Sequence, residues 1–485
     1  TFVTAAGDVF YGCGIRYRGN TSRNIAPFNY RIELPRGRRL DGMRDLNLNH
    51  LNGWQQFFGL EMVRAAGFGV IAPEPRLCRV WLNEAHKSPD SSEGIYVRVE
   101  KVSRNFIAKH YPDDSGNIYR GGINPFKNAR LDFRPNFADY QDGLSYQIRI
   151  NNPETAWHSL TNLAWVLDQD VSLYPQVLPQ RVNVRQWARF YALHFVIDNQ
   201  EGSFYSPLLT SADDYFLYAD PTDGQFDIIP WDMDNVVVNM NASRPIWESY
   251  DTDTGSATVQ KFLYNRPIAP IFAADLLDIA ENVLSEENLD TILDKLGSVF
   301  DPISRDFVQS RIAAKRAFLR GAINTNLTAS AEGFSSALNY AVVDTNAVVL
   351  TGTAPQAWTD IVRVDGTDTA WFTRSNRWTT LAPVALTPGV NRFHIETFDG
   401  ATNLLRSMFY EVIYVDAVQA PNTVITANET WNPAGGVVRI SNNVRVGSGA
   451  TLTVAAGTTV MFDPDRSLFV GNGRIDVLGG LLRQK

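Results

Sequence analysis

Alternation of apolar and polar residues opens the chain. Ile15 and Tyr17 alternate with Arg16 and Arg18, and Tyr30, Ile32 and Leu34 with Arg31 and Glu33, the two-residue period of half-buried strands. One face of this first sheet is thereby rich in arginine. Trp54, Phe58, Met62 and Ala65 recur at helical spacing, and Gly67 supplies a stop. The strand pattern returns at 80–82 and 95–100, with Ile95, Val97 and Val99 directed to the core and Arg98 and Glu100 away from it. Glu100 is expected to meet an arginine of the first strands.

From about residue 155 the pattern turns helical, most clearly over 158–168 and 184–198, and is interrupted by short strand patterns at 214–219 and 226–231. Ser285 reads as an N-cap ahead of Glu286 and Glu287, with Leu289, Ile292, Leu293 and Leu296 as the buried stripe. A last helix around 306–320 points Val308, Ile312 and Leu319 inward. Residues 321–336 change to Asn, Thr, Ala, Ser and Gly, the composition of a linker. Beyond them only short β runs separated by turn signals appear, as in a small β-sandwich. After Pro421 closer-spaced runs such as 438–440, 444–446 and 452–454 read as the first coils of a β-solenoid. A solenoid needs more repeats than these, and the chain opens on Thr1 without a leader, so it reads as a processed or excerpted piece.

At roughly 150 residues per domain, 485 residues imply about three domains. The expected bounds are 1–322, with lobes of about 1–135 and 136–322, a linker at 323–336, a sandwich at 337–418 and the solenoid start at 419–485. The net charge of −8 argues against a dedicated nucleic-acid binder, yet residues 1–134 hold 16 Arg and 4 Lys against 13 acidic residues. Lysine is scarce, 8 against 36 Arg, and the first is Lys87. No run approaches 18 apolar residues, so no membrane-spanning helix is predicted. Cys13 and Cys78 could pair in a secreted protein or be two buried thiols.

The chemistry concentrates at Ile228-Ile-Pro-Trp-Asp-Met-Asp-Asn235. If the strand persists to Asp234, alternation puts Asp232 and Asp234 on one side, a natural seat for Mg²⁺ or Mn²⁺. Upstream, Asp213, Asp214 and the Asp198-Asn-Gln-Glu201 stretch could converge on the same cation. The histidines show no HExxH spacing, and neither GxSxG nor a Walker-type GxxxxGK[ST] occurs. Gly121-Gly122 after Arg120 would let backbone approach a phosphate or simply form a turn.

Eight ordered segments resemble the CotH family of spore-coat proteins: Tyr17-Arg-Gly-Asn-Thr-Ser-Arg23, Tyr30-Arg-Ile-Glu-Leu34, Leu46-Asn-Leu-Asn49, Val63-Arg-Ala-Ala-Gly67, Tyr96-Val-Arg-Val-Glu100, Gly116-Asn-Ile-Tyr119, Asp214-Tyr-Phe-Leu-Tyr218 and Ile229-Pro-Trp-Asp-Met-Asp234. The resemblance covers about residues 10–320. It implies an α+β, protein-kinase-like fold in a multidomain chain, and transfer of the ATP γ-phosphate to Ser or Thr of secreted or surface proteins. By this resemblance Asp232, Asp234 and Asp214 bind metal, with Asp214 where the family commonly has Asn. Arg18, Arg31, Arg120, Glu100 and Trp231 would surround the nucleotide, and Glu201 or Asp198 would position the hydroxyl. The implied cofactors are ATP with Mg²⁺ or Mn²⁺. The implied partner is a protein substrate or surface protein outside the cell, with the β modules as a route to self-assembly.

The departures support an alternative. Glu33 stands where the family usually has Lys, Gln55 where its helix often carries Arg, and Glu201 where it has Asp. A guanidinium is a planar fork rather than a point charge, and a carboxylate displaced by about 1 Å can cost on the order of 100-fold in rate. The alternative is a catalytically weak or inactive, structural or adhesive module of a large surface or matrix protein.

Overall fold

The computed structural model describes residues 1–19, 23, 26, 28–67, 69–83, 85–87, 95–122, 129–143, 146–149, 153–199, 214–247, 257–297, 302–332 and 341–479. The chain divides into two compact units, Thr1–Ile323 and Asn324–Lys485.

The first unit begins with strands β1 (Gly14–Tyr17), β2 (Tyr30–Glu33) and β3 (Asp45–Asn49), helix α1 (Gly53–Ala66), and strands β4 (Pro75–Cys78) and β5 (Tyr96–Glu100). They form an antiparallel sheet in the order β1-β2-β3-β5-β4. Arg16 lies opposite Arg31, Arg31 opposite Asn47, and Asn47 opposite Val99, so these share one face. Val97 and Val99 on that face join the large core of the unit, whereas Tyr30, Ile32, Leu46, Leu48 and Tyr96 build a second core with Phe10 and Leu34 on the other. The arginine face therefore looks toward the body of the unit.

Two strand expectations change. Trp81–Leu82 forms a separate hairpin with Ala85–His86, and the sheet edge is β4, where Pro75, lacking an N–H, begins a strand with a neighbour on one side only. Cys78 is on that edge and Cys13 precedes β1 on the opposite one. Four strand spacings, roughly 19 Å, separate them, too far for a disulfide. Both thiols are free, and burial pushes Cys78 up to about 11.

Helix α2 (Arg104–His110) follows, then strands β6 (Asn117–Arg120) and β7 (Gln147–Ile148), helices α3 (Pro153–Asp168) and α4 (Val184–Val196), and strands β8 (Tyr215–Ala219) and β9 (Phe226–Pro230). The second sheet is antiparallel in the order β7-β6-β8-β9. Strand β6 thereby pairs with β8, nearly 100 residues later in the chain. Helices α5 (Ala257–Leu263), α6 (Ala269–Asp278), α7 (Glu286–Leu296) and α8 (Pro302–Ala322) complete the unit. Ser285 caps α7 by accepting from Asn288 N, and Leu289, Ile292, Leu293 and Leu296 are buried.

Asp227 of β9 gives one stability prediction. It is 9% exposed and accepts from Asn183 Nδ2 at 3.0 Å. Burial, opposed by that hydrogen bond, pushes its carboxyl up to about 6 from 3.8. The folded state thus holds the proton more tightly than the unfolded one. The resulting stabilisation is complete below about pH 3.8 and is lost as pH rises through about 6. Asp227→Asn, fixed in the neutral form, should stabilise by about 3 kcal/mol at pH 7.5 and by less than about 1 kcal/mol at pH 4 in thermal melts.

The second unit is strand-rich. Its five-stranded sheet runs Ala341–Val343, Leu404–Tyr414, Gly389–Phe398, Ile361–Val364, Thr367–Asp368, and its four-stranded sheet runs Ser330–Ala331, Leu350–Gly352, Arg377–Thr379, Ala370–Phe372. Leu350, Val362, Trp371, Trp378 and Ile395 from both sheets share one core. Ser330–Ala331 lies in the stretch expected as a linker and pairs with Leu350–Thr351, burying Ala331. After residue 417 the described strands pair in parallel, as in Val438 with Val460, Val444 with Leu468 and Leu452 with Ile475. Val438, Val444 and Leu452 are buried in the narrow core between these sheets.

Candidate functional site

The second sheet brings three chain segments to one end. Gly121 N, just past β6, donates to Tyr215 O at 3.1 Å, and Trp231 N, just past β9, donates to Asp214 O at 3.1 Å. Gly121 is required for the approach, because a Cβ there would stand 2.6 Å from the Tyr215 ring. Arg120, Asp214 and Trp231 therefore lie side by side on neighbouring strand ends. The strand stops at Pro230, and Asp232 takes a left-handed φ of 49°. Strict alternation thus does not carry Asp232 and Asp234 onto one side as expected. The turn at Asp232 nonetheless leaves both carboxylates acting on Arg18.

Arg18, at the end of β1, crosses to this place with its Cζ 5.9 Å from the centre of the Trp231 ring. Burial foremost, with Arg120 and Arg16 nearby, pulls its guanidinium below the ordinary arginine value, while Asp232 and Asp234 oppose the shift. Arg149, one residue beyond β7, is pulled down to about 10 by burial and by Arg120 and Arg31. Arg120 keeps a buried Nε that has no hydrogen-bond partner among the described residues. Several cations whose charged forms disfavour one another, one with an unused donor, make a site that a polyanion would stabilise. Trp231 is 5% exposed and packs edge-on against Phe216 at 5.5 Å, so it is a core residue that offers one ring face to Arg18.

Helix α1 holds the carboxylate segment from the other side. Gln56, 1% exposed, donates to Asp232 Oδ1 at 2.7 Å and accepts from Asn49 Nδ2 at 2.6 Å. With its amide nitrogen turned toward them, Gln55 donates to Asp234 O at 2.9 Å and Val236 O at 3.3 Å.

The remaining expected residues fall elsewhere or are engaged. Arg31 binds Asp45 through Nε at 3.0 Å, and Lys101 binds the other oxygen at 3.0 Å. Burial alone would raise Asp45, but these two cations hold its carboxyl below the usual range. Arg31 thus adds field at Arg149 while committed to a carboxylate. Glu100 does not meet an arginine of β1 or β2 among the described contacts. It opposes Leu46 on the face away from them and binds Lys109 Nζ at 3.2 Å and His110 Nε2 at 3.1 Å, both of α2. Asp198 is 4% exposed, pairs with Arg244 Nε at 3.2 Å and accepts from Asn241 N at 2.8 Å. Glu201 lies outside the described residues.

Among the described residues no three His, Cys, Asp or Glu side chains stand together as a metal cage. Asp232 and Asp234 are hard oxygen donors of the kind that would suit Mg²⁺ or Mn²⁺, which keeps water and substrate oxygens in its shell and needs only one or two carboxylates. Asn49, Gln56 and Arg149 were not legible from local pattern; the available signal was a pair of glutamines inside an otherwise apolar helix.

A family model described as CotH kinase protein matches residues 15–331 of the chain. Among curated proteins, the inner spore coat protein H of Bacillus subtilis (strain 168) is 21% identical over 231 residues, which are 45% of this chain and 57% of that protein. The chain thus spans little more than half the length of this relative. Among the described residues no helix is long and apolar enough to cross a membrane.

Proposed function

Since this chain belongs to the CotH kinase protein family, we propose that its first unit is an ATP-dependent protein kinase acting on Ser or Thr hydroxyls of extracellular or surface proteins. The observation that carries the reading is Arg18 lying over Trp231, where Asp232, Asp234 and Arg120 all act on its charge, with Arg149 near enough to Arg120 to feel it. Phosphoryl transfer asks for cations along the phosphates, carboxylates for the metal and a carboxylate for the attacking hydroxyl. Arg18, Arg120 and Arg149 take the first role, and Asp232 with Asp234, assisted by Asp214, the second. A divalent cation between them would neutralise charge on the transferred group. Glu201 is the better candidate for the third role, because Asp198 is held by Arg244 and Asn241. In the second unit we read the two sheets as an Ig-like sandwich and the parallel strands as the start of a β-solenoid, modules that suit a secreted or cell-surface protein. The spore-coat name of the relative supports the same location.

Incubating the 485-residue chain with labelled ATP and Mg²⁺ or Mn²⁺ tests this. Label on the protein itself or on casein, with a nucleotide-dependent rise in Tm, is the expected result; neither label nor shift would refute it. Arg18→Met should raise the KM for ATP roughly tenfold, the loss of one charge-assisted contact. The second reading, an inactive structural module, is favoured by the engaged Asp198 and by the absence of any lysine before Lys87. A nucleotide-dependent Tm shift without transfer would select it.

A further inference from the structure

We propose that Gln56 is a positioning residue for Asp232, held in its working orientation by Asn49; the proposal rests on the kinase reading of the site. Asn49 and Gln56 are 4% and 1% exposed, and the three side chains form a directional relay from β3 through α1 to the segment after β9. Asn49 Nδ2 donates to Gln56 Oε1, which fixes the oxygen on that side and leaves Gln56 Nε2 to donate to Asp232 Oδ1. Reversing the amide would set its oxygen against a carboxylate. The relay grips one oxygen of Asp232 and leaves Oδ2 to a ligand. A neutral donor also orients the carboxylate without cancelling its charge, whereas a cation at 56 would compete with a metal.

The backbone makes the coupling tight. At Gly59 a Cβ would stand 2.8 Å from Met233 Cβ and 3.0 Å from Met233 O, so α1 lies in direct contact with the Asp232–Asp234 segment. Immediately beyond, Val237 has a φ of 67° and Val238 N donates to Val236 O at 2.7 Å, a tight turn that a β-branched residue adopts only under constraint. Gln55 on Val236 O and Ile197 O on Val237 N supply that constraint. The helix acts as a template for the carboxylate segment, and Gln56 is its contact to a charged atom.

The test uses the whole chain and a Mn²⁺ titration in the presence of a non-hydrolysable ATP analogue, followed by Tm. Gln56→Met should raise the Mn²⁺ half-saturation 10- to 100-fold, the usual effect of removing an outer partner of a metal ligand. Asn49→Leu, which breaks the relay one step earlier, should shift it in the same direction by less, and decides the matter if Gln56→Met does not fold. Gln186→Met is the structural control. Its buried amide binds Ile228 N and O and, among the described residues, no carboxylate, so it should lower Tm and leave the half-saturation unchanged. Saturating Mn²⁺ should return phosphoryl transfer by Gln56→Met to within a few-fold of the wild type. A wild-type half-saturation in Gln56→Met, or an equal loss in Gln186→Met, overturns the proposal. A wild-type chain that shows neither a Mn²⁺-dependent shift nor label from ATP overturns the kinase reading itself, and this inference with it; label without any Mn²⁺-dependent shift overturns this inference alone.

Discussion

Asp232→Asn is expected to reduce phosphoryl transfer by at least about 10³-fold, some 4 kcal/mol of transition-state stabilisation, with little change in Tm. Asp232 occupies a left-handed φ of 49°, a conformation that Asn adopts as readily as Asp, so the backbone has no reason to move. Gln56 Nε2 can still donate to an amide oxygen in the place of Oδ1. What disappears is one negative charge at the point where two carboxylates face Arg18. A metal held by two carboxylates and substrate oxygens loses half its protein charge by this change. Arg18 is then left with Asp234 as its acidic neighbour against Arg120 and Arg16. Asp234→Asn should behave alike. Asp214→Asn should be mild, because Asn is the residue that the CotH resemblance leads one to expect there. Initial rates with labelled ATP at saturating Mg²⁺ or Mn²⁺, beside thermal melts, read all three. A rate for Asp232→Asn within tenfold of the wild type would remove Asp232 from the metal site.

Legibility in the sequence followed the range of the interactions. The alternation of Arg16 and Arg18 with Ile15 and Tyr17 was readable because strand periodicity is a local property, and Arg16 does lie opposite Arg31 on one face, with Arg18 over Trp231. Helix α1 and its stop at Gly67 were likewise readable from 3.6-residue spacing. The strand at Asp232 was not. The strand pairing ends with Trp231 N on Asp214 O, and the positive φ of Asp232 follows it where Gln56 of α1 takes hold of the side chain, a contact that strand periodicity does not announce. The partner of Glu100 was misjudged for a related reason. Outward-pointing on a strand describes a direction, while the residue that fills that direction comes from α2 folding back onto the sheet. The link from Gln56 to Asp232 spans 176 positions and leaves no periodic trace. The CotH resemblance pointed to Asp232 and Asp234 from motif order; the side chains that touch them, Gln56 and Gln55, came from the packing alone.

The largest stability effect is expected at Arg189, which is 1% exposed and ties α1 to the helices behind it. Its Nε and Nη2 donate to Ala66 O, the last residue of α1, at 3.0 and 2.7 Å. Its Nη1 lies 3.3 Å from Asp275 Oδ1 and 2.6 Å from Asp278 Oδ2, both on α6. Arg185 also binds Asp275, at 2.7 Å, so a fully buried carboxylate stands between two guanidiniums. Arg189→Met keeps the volume and removes the charge and every donor. It leaves Ala66 O unmet and Asp275 half-compensated, and removing one partner of a buried pair costs about 3 to 5 kcal/mol, roughly a 10 °C fall in Tm for a unit of this size. The loss should depend on pH in a defined sense. Burial already pushes Asp275 up to about 6 despite Arg185 and Arg189 pulling it down, so without Arg189 its proton is held more tightly still. At pH 5.5 the neutral acid costs little to bury, while at pH 8 the charge must remain or a proton must be drawn from solution. The fall in Tm should therefore be larger at pH 8 than at pH 5.5, and the double variant Arg189→Met/Asp275→Asn should recover part of it at pH 8 and little at pH 5.5. Because α1 also carries Gln55 and Gln56, Arg189→Met should weaken Mn²⁺ binding at temperatures well below its own melt. An unchanged Mn²⁺ half-saturation alongside the lower Tm would mean that the N-terminal end of α1 holds the carboxylate segment without help from its C-terminal anchor.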